Sequence, residues 1–204
     1  RSPSQLKSQV SSYRTCRLPR DEGILRMLRG RHSRVVRVGS RAVKVFIPDF
    51  NLNFWKEVYF LRELQPYGFV PRLYSYNAQK LEIVMEFIEG DYIKDFEFKS
   101  SEEWRVLERC FNACRLLDKL RIQKEEMHRP NRHIIVRNGV PYFVDFERAH
   151  YSKRPSNVTQ FAIYAGKRLG ICFEEIKEIL RRYKAMYDEK SFKELLTRLA
   201  KKVK

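Results

Sequence analysis

A lysine in Ala42-Val43-Lys44-Val45-Phe46, a glutamate at Glu57 and an aspartate in Val144-Asp145-Phe146-Glu147 stand in the order that phosphoryl transfer from a nucleotide requires. An ammonium can hold nucleotide phosphates, a helical carboxylate can hold that ammonium, and an aspartate can hold magnesium. None is specific alone. The plainer reading of Lys44 is the outward member of an alternating strand, and Glu63, near the end of its helix, competes with Glu57 as the lysine's partner. Asp145 ends a strand-like run, Tyr142-Phe143-Val144, where aspartate is a poor strand residue. Order, spacing and flanking patterns together point to one chemistry.

Those residues need elements to position them. Val35-Val36-Arg37-Val38 and residues 42–46 are β-branched runs separated by Gly39-Ser40, a hairpin signal. Gly23 to Leu28 leads into them as a short helix or a strand. Phe54, Val58, Leu61 and Leu64 recur at helical spacing, which predicts a helix over about 52–65 carrying Glu57. Val70–Tyr76 and Leu81–Phe87 read as two more strands, closed by Glu89-Gly90. The period then changes. Ser100 and Glu103 form a capping box, and Trp104, Leu107, Phe111, Cys114, Leu117 and Leu120 mark one face of a long helix. His133–Val136, a turn at Arg137-Asn138-Gly139 and Val140–Val144 predict a second hairpin. Helices follow over about 157–166, 173–187 and 191–203. The fold class is α+β: a basic extension over residues 1–22, a β-rich N-lobe over 23–88 and a helical C-lobe over 89–204, with a cleft between the lobes.

The charge is lopsided. Lys and Arg number 42 against 25 acids, a net +17; residues 1–44 hold 12 basic residues and two acids, and residues 177–204 hold ten and four. Such an excess suits a polyanionic partner bound in a salt-dependent way. A thermophile's surface normally mixes both signs. Arg14, Arg17, Arg20, Arg31, Arg34, Arg129, Arg132, Arg181, Arg182, Lys201 and Lys202 are the candidate phosphate contacts. Tyr13, Tyr151, Tyr183 and Tyr187 are candidates for stacking an unpaired base. No apolar run approaches the roughly 20 residues that cross a bilayer, and the first residues show no apolar signal core, so a cytoplasmic protein is expected. Cys16, Cys110, Cys114 and Cys172 lack metal-finger spacing, and the middle two fall on one helical face as core residues.

Against the phosphate-covering pattern G-x-G-x-x-G-x-V, Leu28–Val35 keeps only Gly30 and Val35; Ser33 takes a glycine position and could donate to a phosphate. Met85 would border a base pocket, and backbone groups of Glu86, Phe87 and Ile88 would meet the purine. Glu147 stands where glycine usually follows Asp-Phe, which disfavours a large flip of that segment. The loop before Asp145 departs furthest from H-R-D-x-x-x-x-N. Anchored on the strand Ile134-Ile135-Val136, it puts His133 at the metal-binding asparagine and His128 at the catalytic aspartate. His128 is the favoured acceptor-side group, Glu125 and Glu126 are the alternatives, and Asn131 and His133 are candidates for a second metal or phosphate position.

Residues 24–150, above all Glu125-Glu126-Met127-His128-Arg129-Pro130 and Val144-Asp145-Phe146-Glu147-Arg148-Ala149, resemble the compact archaeal proteins described as serine/threonine kinases, among them the archaeal RNA kinase. They resemble more broadly the small atypical kinases of the RIO and Bud32 groups. The resemblance implies a bilobal protein-kinase-like fold with a reduced C-lobe, and a monomer. It also implies ATP or GTP with Mg2+, and transfer of the γ-phosphate to the ribose 2′-hydroxyl of a uridine in the variable-loop region of tRNA. Lys44, Glu57, His128 and Asp145 would be catalytic, with Asp145 holding the metal. Only 59 residues follow Asp145, with no Ala-Pro-Glu motif, so the usual platform for a peptide substrate is missing. A serine/threonine protein kinase and an RNA-binding pseudokinase are the alternatives.

Overall fold

The computed structural model describes the backbone of residues 24–29 and residues 31–203 with their side chains. Expectations for Gly30, Tyr13, Arg14, Cys16, Arg17 and Arg20 lie outside the described residues.

Five antiparallel strands form the first sheet: β1 (Ile24–Arg29), β2 (Ser33–Val38), β3 (Arg41–Phe46), β4 (Leu73–Asn77) and β5 (Glu82–Glu86), in the order β1-β2-β3-β5-β4. The segment left open between helix and strand is therefore a strand. Gly39, at φ +58, supplies the left-handed residue that turns β2 into β3. Along β3 the pleat puts Ala42, Lys44 and Phe46 on the buried side, and Val43 and Val45 away from it. Lys44 is thus an inward member of its strand, against the plainer reading. Helix α1 (Asn51–Leu64) packs Phe54, Val58, Leu61 and Leu64 into the core and carries Glu57 with them.

The chain leaves the sheet through Phe87–Gly90. A Cβ on Gly90 would stand 2.2 Å from the Val136 carbonyl oxygen, so only glycine lets the connector pass that close. Short β6 (Asp91–Tyr92) then pairs with β8 (Ile134–Arg137), itself paired with β9 (Val140–Phe143). Asn138 and Gly139 both have positive φ, the signature of a two-residue hairpin turn.

Helix α2 (Ser101–Lys119) starts at the expected box: the Glu103 N–H donates to Ser100 Oγ and the Ser100 N–H to Glu103. Its buried face includes Cys110 and Cys114, whose thiols burial pushes well above their ordinary pKa. Helices α3 (Asn157–Arg168), α4 (Phe173–Met186) and α5 (Glu189–Ala200) complete this half. Two short strands that the sequence does not announce, β7 (Ile122–Gln123) and β10 (His150–Tyr151), pair antiparallel. Each is too short to show a period. Among the described residues no helix is long and apolar enough to cross a membrane.

Candidate active site

Lys44 reaches from β3 into a ring of acids. Its Nζ lies 3.0 Å from Asp145 Oδ1, 3.2 Å from Glu147 Oε2 and 3.5 Å from Glu57 Oε2. Lys44 is 4% exposed and Glu57 1%. Such burial is tolerable only because charge meets charge. Burial disfavours the Lys44 ammonium, but the carboxylates of Glu57, Asp145 and Glu147 outweigh it and raise its pKa. Burial pushes the Glu57 carboxyl up to about 7, against the pull of Lys44. Burial also works against ionised Asp145, yet Lys44 and Lys124 hold it well below the usual carboxylate range.

Asp145 follows β9 at φ +67, a conformation uncommon outside glycine. Lys124 braces it: its Nζ donates to the Asp145 carbonyl at 2.7 Å. Lys124 is itself 1% exposed, and its N–H donates to Asn157 Oδ1 at 2.9 Å. Burial lowers its pKa, with the nearby acids opposing. Nothing in the sequence marks Lys124. It lies in a stretch of mixed charge, directly before Glu125-Glu126, and only the fold brings it under Asp145.

Glu147 does more than replace a glycine. Besides meeting Lys44, its Oε1 lies 2.7 Å from His32 Nδ1, and its carbonyl accepts from Asn53 Nδ2 at 3.2 Å. His32 stacks on Phe50 with ring centroids 4.0 Å apart. One residue therefore ties the loop before β2 and strand β3 through its carboxylate, and helix α1 through its carbonyl, to the segment after β9. A cavity of about 320 Å3 opens here, lined by Arg31, His32, Ser33, Glu125, Glu126, His133, Asp145, Glu147, Arg148 and Ala149.

The loop before β8 differs from the sequence alignment. Two tight turns consume it, closed by Arg129 N–H to Glu126 O at 2.9 Å and His133 N–H to Pro130 O at 2.8 Å. Met127 is fully buried and anchors the first turn. His128 is consequently exposed and outside the cavity lining, and Asn131, in the second turn, is too. Glu126 enters instead. Its carboxylate lies 3.7 Å from His133 Nε2 and 2.5 Å from Arg148 Nη1, and His133 Nε2 lies 3.9 Å from Asp145 Oδ2. Burial and the Lys124 charge lower the His133 pKa, and its Nδ1 is buried without a partner.

At the connector, the Glu86 N–H is already given to Arg72 O at 2.8 Å and the Phe87 N–H to Ser40 O at 3.0 Å. Those two donors are not free for a purine. Ile88 keeps an N–H with no partner among the described residues. Met85 is buried opposite Ala42.

The basic candidates divide. Arg181 pairs with Glu178 at 2.9 Å and Arg182 with Glu194 at 2.7 Å. Arg34, Arg129, Arg132, Lys201 and Lys202 are exposed. Tyr183 is 1% exposed and donates to Asp118, which removes it as a stacking surface.

No protein-family model and no curated protein matches the chain. Among solved structures it is similar to the Rio2 kinase–ADP/Mg2+–phosphoaspartate complex from Chaetomium thermophilum, with TM-score 0.57 and 13% identity over 89% of this chain and 71% of that one. The likeness establishes the fold: an α+β protein-kinase-like structure with the sheet N-terminal and the helices C-terminal.

Proposed function

We propose that the chain is a nucleotide-dependent kinase that transfers the γ-phosphate of ATP or GTP to a ribose 2′-hydroxyl of a uridine in the variable-loop region of tRNA. The observation that carries phosphoryl transfer is Lys44 Nζ held among Glu57, Asp145 and Glu147 at the edge of an open cavity. A phosphoryl transition state needs positioned positive charge more than covalent help. Lys44 supplies that charge, and Glu57 fixes its direction.

Magnesium fits Asp145. The carboxylate is held ionised, and oxygen is the ligand magnesium prefers. Among the described residues no group of three or more His, Cys, Asp or Glu side chains could hold a metal. That suits an ion held by one or two carboxylates, waters and substrate phosphates. When bound, it would neutralise phosphate charge. His133, a nitrogen donor, suits magnesium poorly; we assign it to orienting Glu126 and Asp145. Glu126, within the cavity, replaces His128 as the group that receives the acceptor hydroxyl's proton.

The RNA acceptor rests on the net charge of +17 and on the resemblance of the loop segments. Glu126 also favours a second reading, a serine/threonine protein kinase, because it restores an acceptor-side carboxylate that the sequence lacked. Incubation with γ-labelled ATP or GTP, magnesium, and either unfractionated tRNA or lysate proteins separates the two. Label in tRNA, on a uridine ribose after nuclease digestion and mass spectrometry, supports the RNA kinase. Label in protein alone replaces it, and RNA binding without transfer favours the pseudokinase.

A further inference from the structure

Beside the cleft, the β7–β10 ribbon carries a shallow cavity of about 420 Å3 lined by Arg121, Tyr151, Ser152 and Lys153. Tyr151 is 55% exposed, yet it is not loose. Its hydroxyl bonds that of Tyr59 at 3.0 Å, and its ring packs against Tyr59 and Phe60 at centroid distances of 6.3 and 5.7 Å. It is a fixed aromatic with much of its surface uncovered. Arg121 is fixed too. Its Nη1 donates to Lys153 O at 2.8 Å, and its carbonyl accepts from Ser152 N–H at 2.8 Å.

Several arginines elsewhere on this half are paired, although Arg129, Arg132, Lys201 and Lys202 share with the ledge the lack of a carboxylate within 4.0 Å among the described residues. Arg115, Arg148, Arg181, Arg182 and Arg198 each meet a carboxylate. Arg121, Lys153 and the adjacent Arg154 have no carboxylate within 4.0 Å among the described residues. The ledge also continues the cleft. His150, next to Tyr151, has its Nδ1 3.5 Å from Glu125, and Glu125, Arg148 and Ala149 line the catalytic cavity. A strand leaving the cleft along β10 would meet Tyr151 and then Arg121 and Lys153, whose charges no carboxylate neutralises among the described residues.

We propose that this ledge is a subsite for an unpaired nucleotide flanking the acceptor, its base stacked on Tyr151 and its phosphates held by Arg121 and Lys153. The inference rests on the RNA-acceptor reading. Stacking on an aromatic tolerates any base, and phosphate contacts position a strand without reading it. A base inside an A-form helix cannot reach such a platform. The enzyme therefore selects its acceptor by local unpairing rather than by sequence.

The test uses the full chain and an RNA hairpin carrying one bulged 2-aminopurine, with a fully paired hairpin beside it. Stacking on Tyr151 quenches 2-aminopurine on binding. Tyr151→Ala is expected to abolish the quench and weaken binding of the bulged RNA about tenfold, with the paired RNA unaffected. Tyr151→Phe retains the quench. Arg121→Gln with Lys153→Gln lowers the slope of log affinity against log salt by about 1.4. A thermal shift with magnesium and nucleotide checks that each variant folds. As a measurement needing no variant, photocrosslinking of the hairpin with 5-bromouridine in the bulge is expected to label the peptide that contains Tyr151. Equal affinity for both hairpins, or a crosslink elsewhere, overturns the subsite. Tyr151-dependent binding with no phosphate transfer leaves the subsite standing and removes the kinase reading. Transfer indifferent to Tyr151 does the reverse, and failure to bind RNA removes both.

Discussion

The Nζ of Lys124 lies 2.7 Å from the main-chain carbonyl oxygen of Asp145. This bond supports a backbone conformation that an aspartate adopts at a cost. It also brings a second buried lysine to the carboxylate proposed to hold magnesium. Lys124 is in turn placed by Asn157, and Asn157 by Asp118, so the site's precision is drawn from the helical half.

Lys124→Met keeps most of the side-chain volume and removes the donor. Its expected effect is a fall in kcat of about 10², with a raised magnesium requirement. Nucleotide binding measured without magnesium should change little. Chemical denaturation should show a loss of about 1–3 kcal/mol from the unpaired carbonyl. Unchanged kcat and magnesium dependence would remove Lys124 from the machinery.

Two carboxylates of the site set opposite pH dependences on stability. Glu57 is raised to about 7 in the fold, so between 4.5 and 7 the folded chain holds a proton that the unfolded chain releases. This contribution therefore favours folding as pH falls through about 7 toward 4.5, and Glu57→Gln should flatten that part of the profile. Asp145 is depressed below 3.8; its contribution is present above 3.8 and lost as pH falls further. Denaturation midpoints for wild type, Glu57→Gln and Asp145→Asn across pH 3 to 9 read the whole Glu57 window and the upper edge of the Asp145 window. A Glu57→Gln profile parallel to wild type from 5 to 8 would show that Glu57 does not titrate there.

Glu126 and His128 make separable predictions. Glu126→Gln should lower kcat by about 10²–10⁴, the range for a lost proton acceptor, with the KM for nucleotide nearly unchanged. His128→Ala, at an exposed turn, should leave kcat within about twofold. The opposite ranking would return the acceptor role to His128.

Asp118 sits between α2, α3 and α4. It accepts from the Asn157 N–H at 2.9 Å, Asn157 Nδ2 at 2.8 Å, the Val158 N–H at 3.2 Å and the Tyr183 hydroxyl at 3.0 Å. It thereby caps α3 from another helix and places its charge at the positive end of the helix dipole. Asp118→Ala orphans these buried donors at a cost of about 3 kcal/mol, which should lower the melting temperature by about 10 °C. A shift under about 3 °C would mean that water replaces the carboxylate readily.

Lys44 and Glu57 were readable because each sits on an element with a clear period, and Asp145 because it comes just after the strand run of β9. The capping box at Ser100 and the Asn138-Gly139 turn were readable because their chemistry is local. Lys124, His32 and Glu147 were not, since none stands in a pattern that announces its role, and the Lys124–Asp145 and His32–Glu147 contacts exist only in the fold. The loop from Glu126 to His133, where the sequence left His128, Glu125 and Glu126 as alternatives, was hard to read for a different reason. Counting back from β8 assumes a fixed loop length, whereas a second turn and the buried Met127 shift the inward carboxylate to Glu126. Ion pairing also cannot be read from composition, which made Arg181 and Arg182 look as available as Arg129 and Arg132.

The most direct measurement is transfer of γ-labelled phosphate to tRNA by wild type and Asp145→Asn side by side, with magnesium and matched protein concentration. The account predicts a uridine carrying one added phosphate on its ribose with wild type, and a loss of at least about 10³ with the variant. Transfer retained by Asp145→Asn would contradict the site, and folded, nucleotide-binding wild type that labels no RNA would contradict the function.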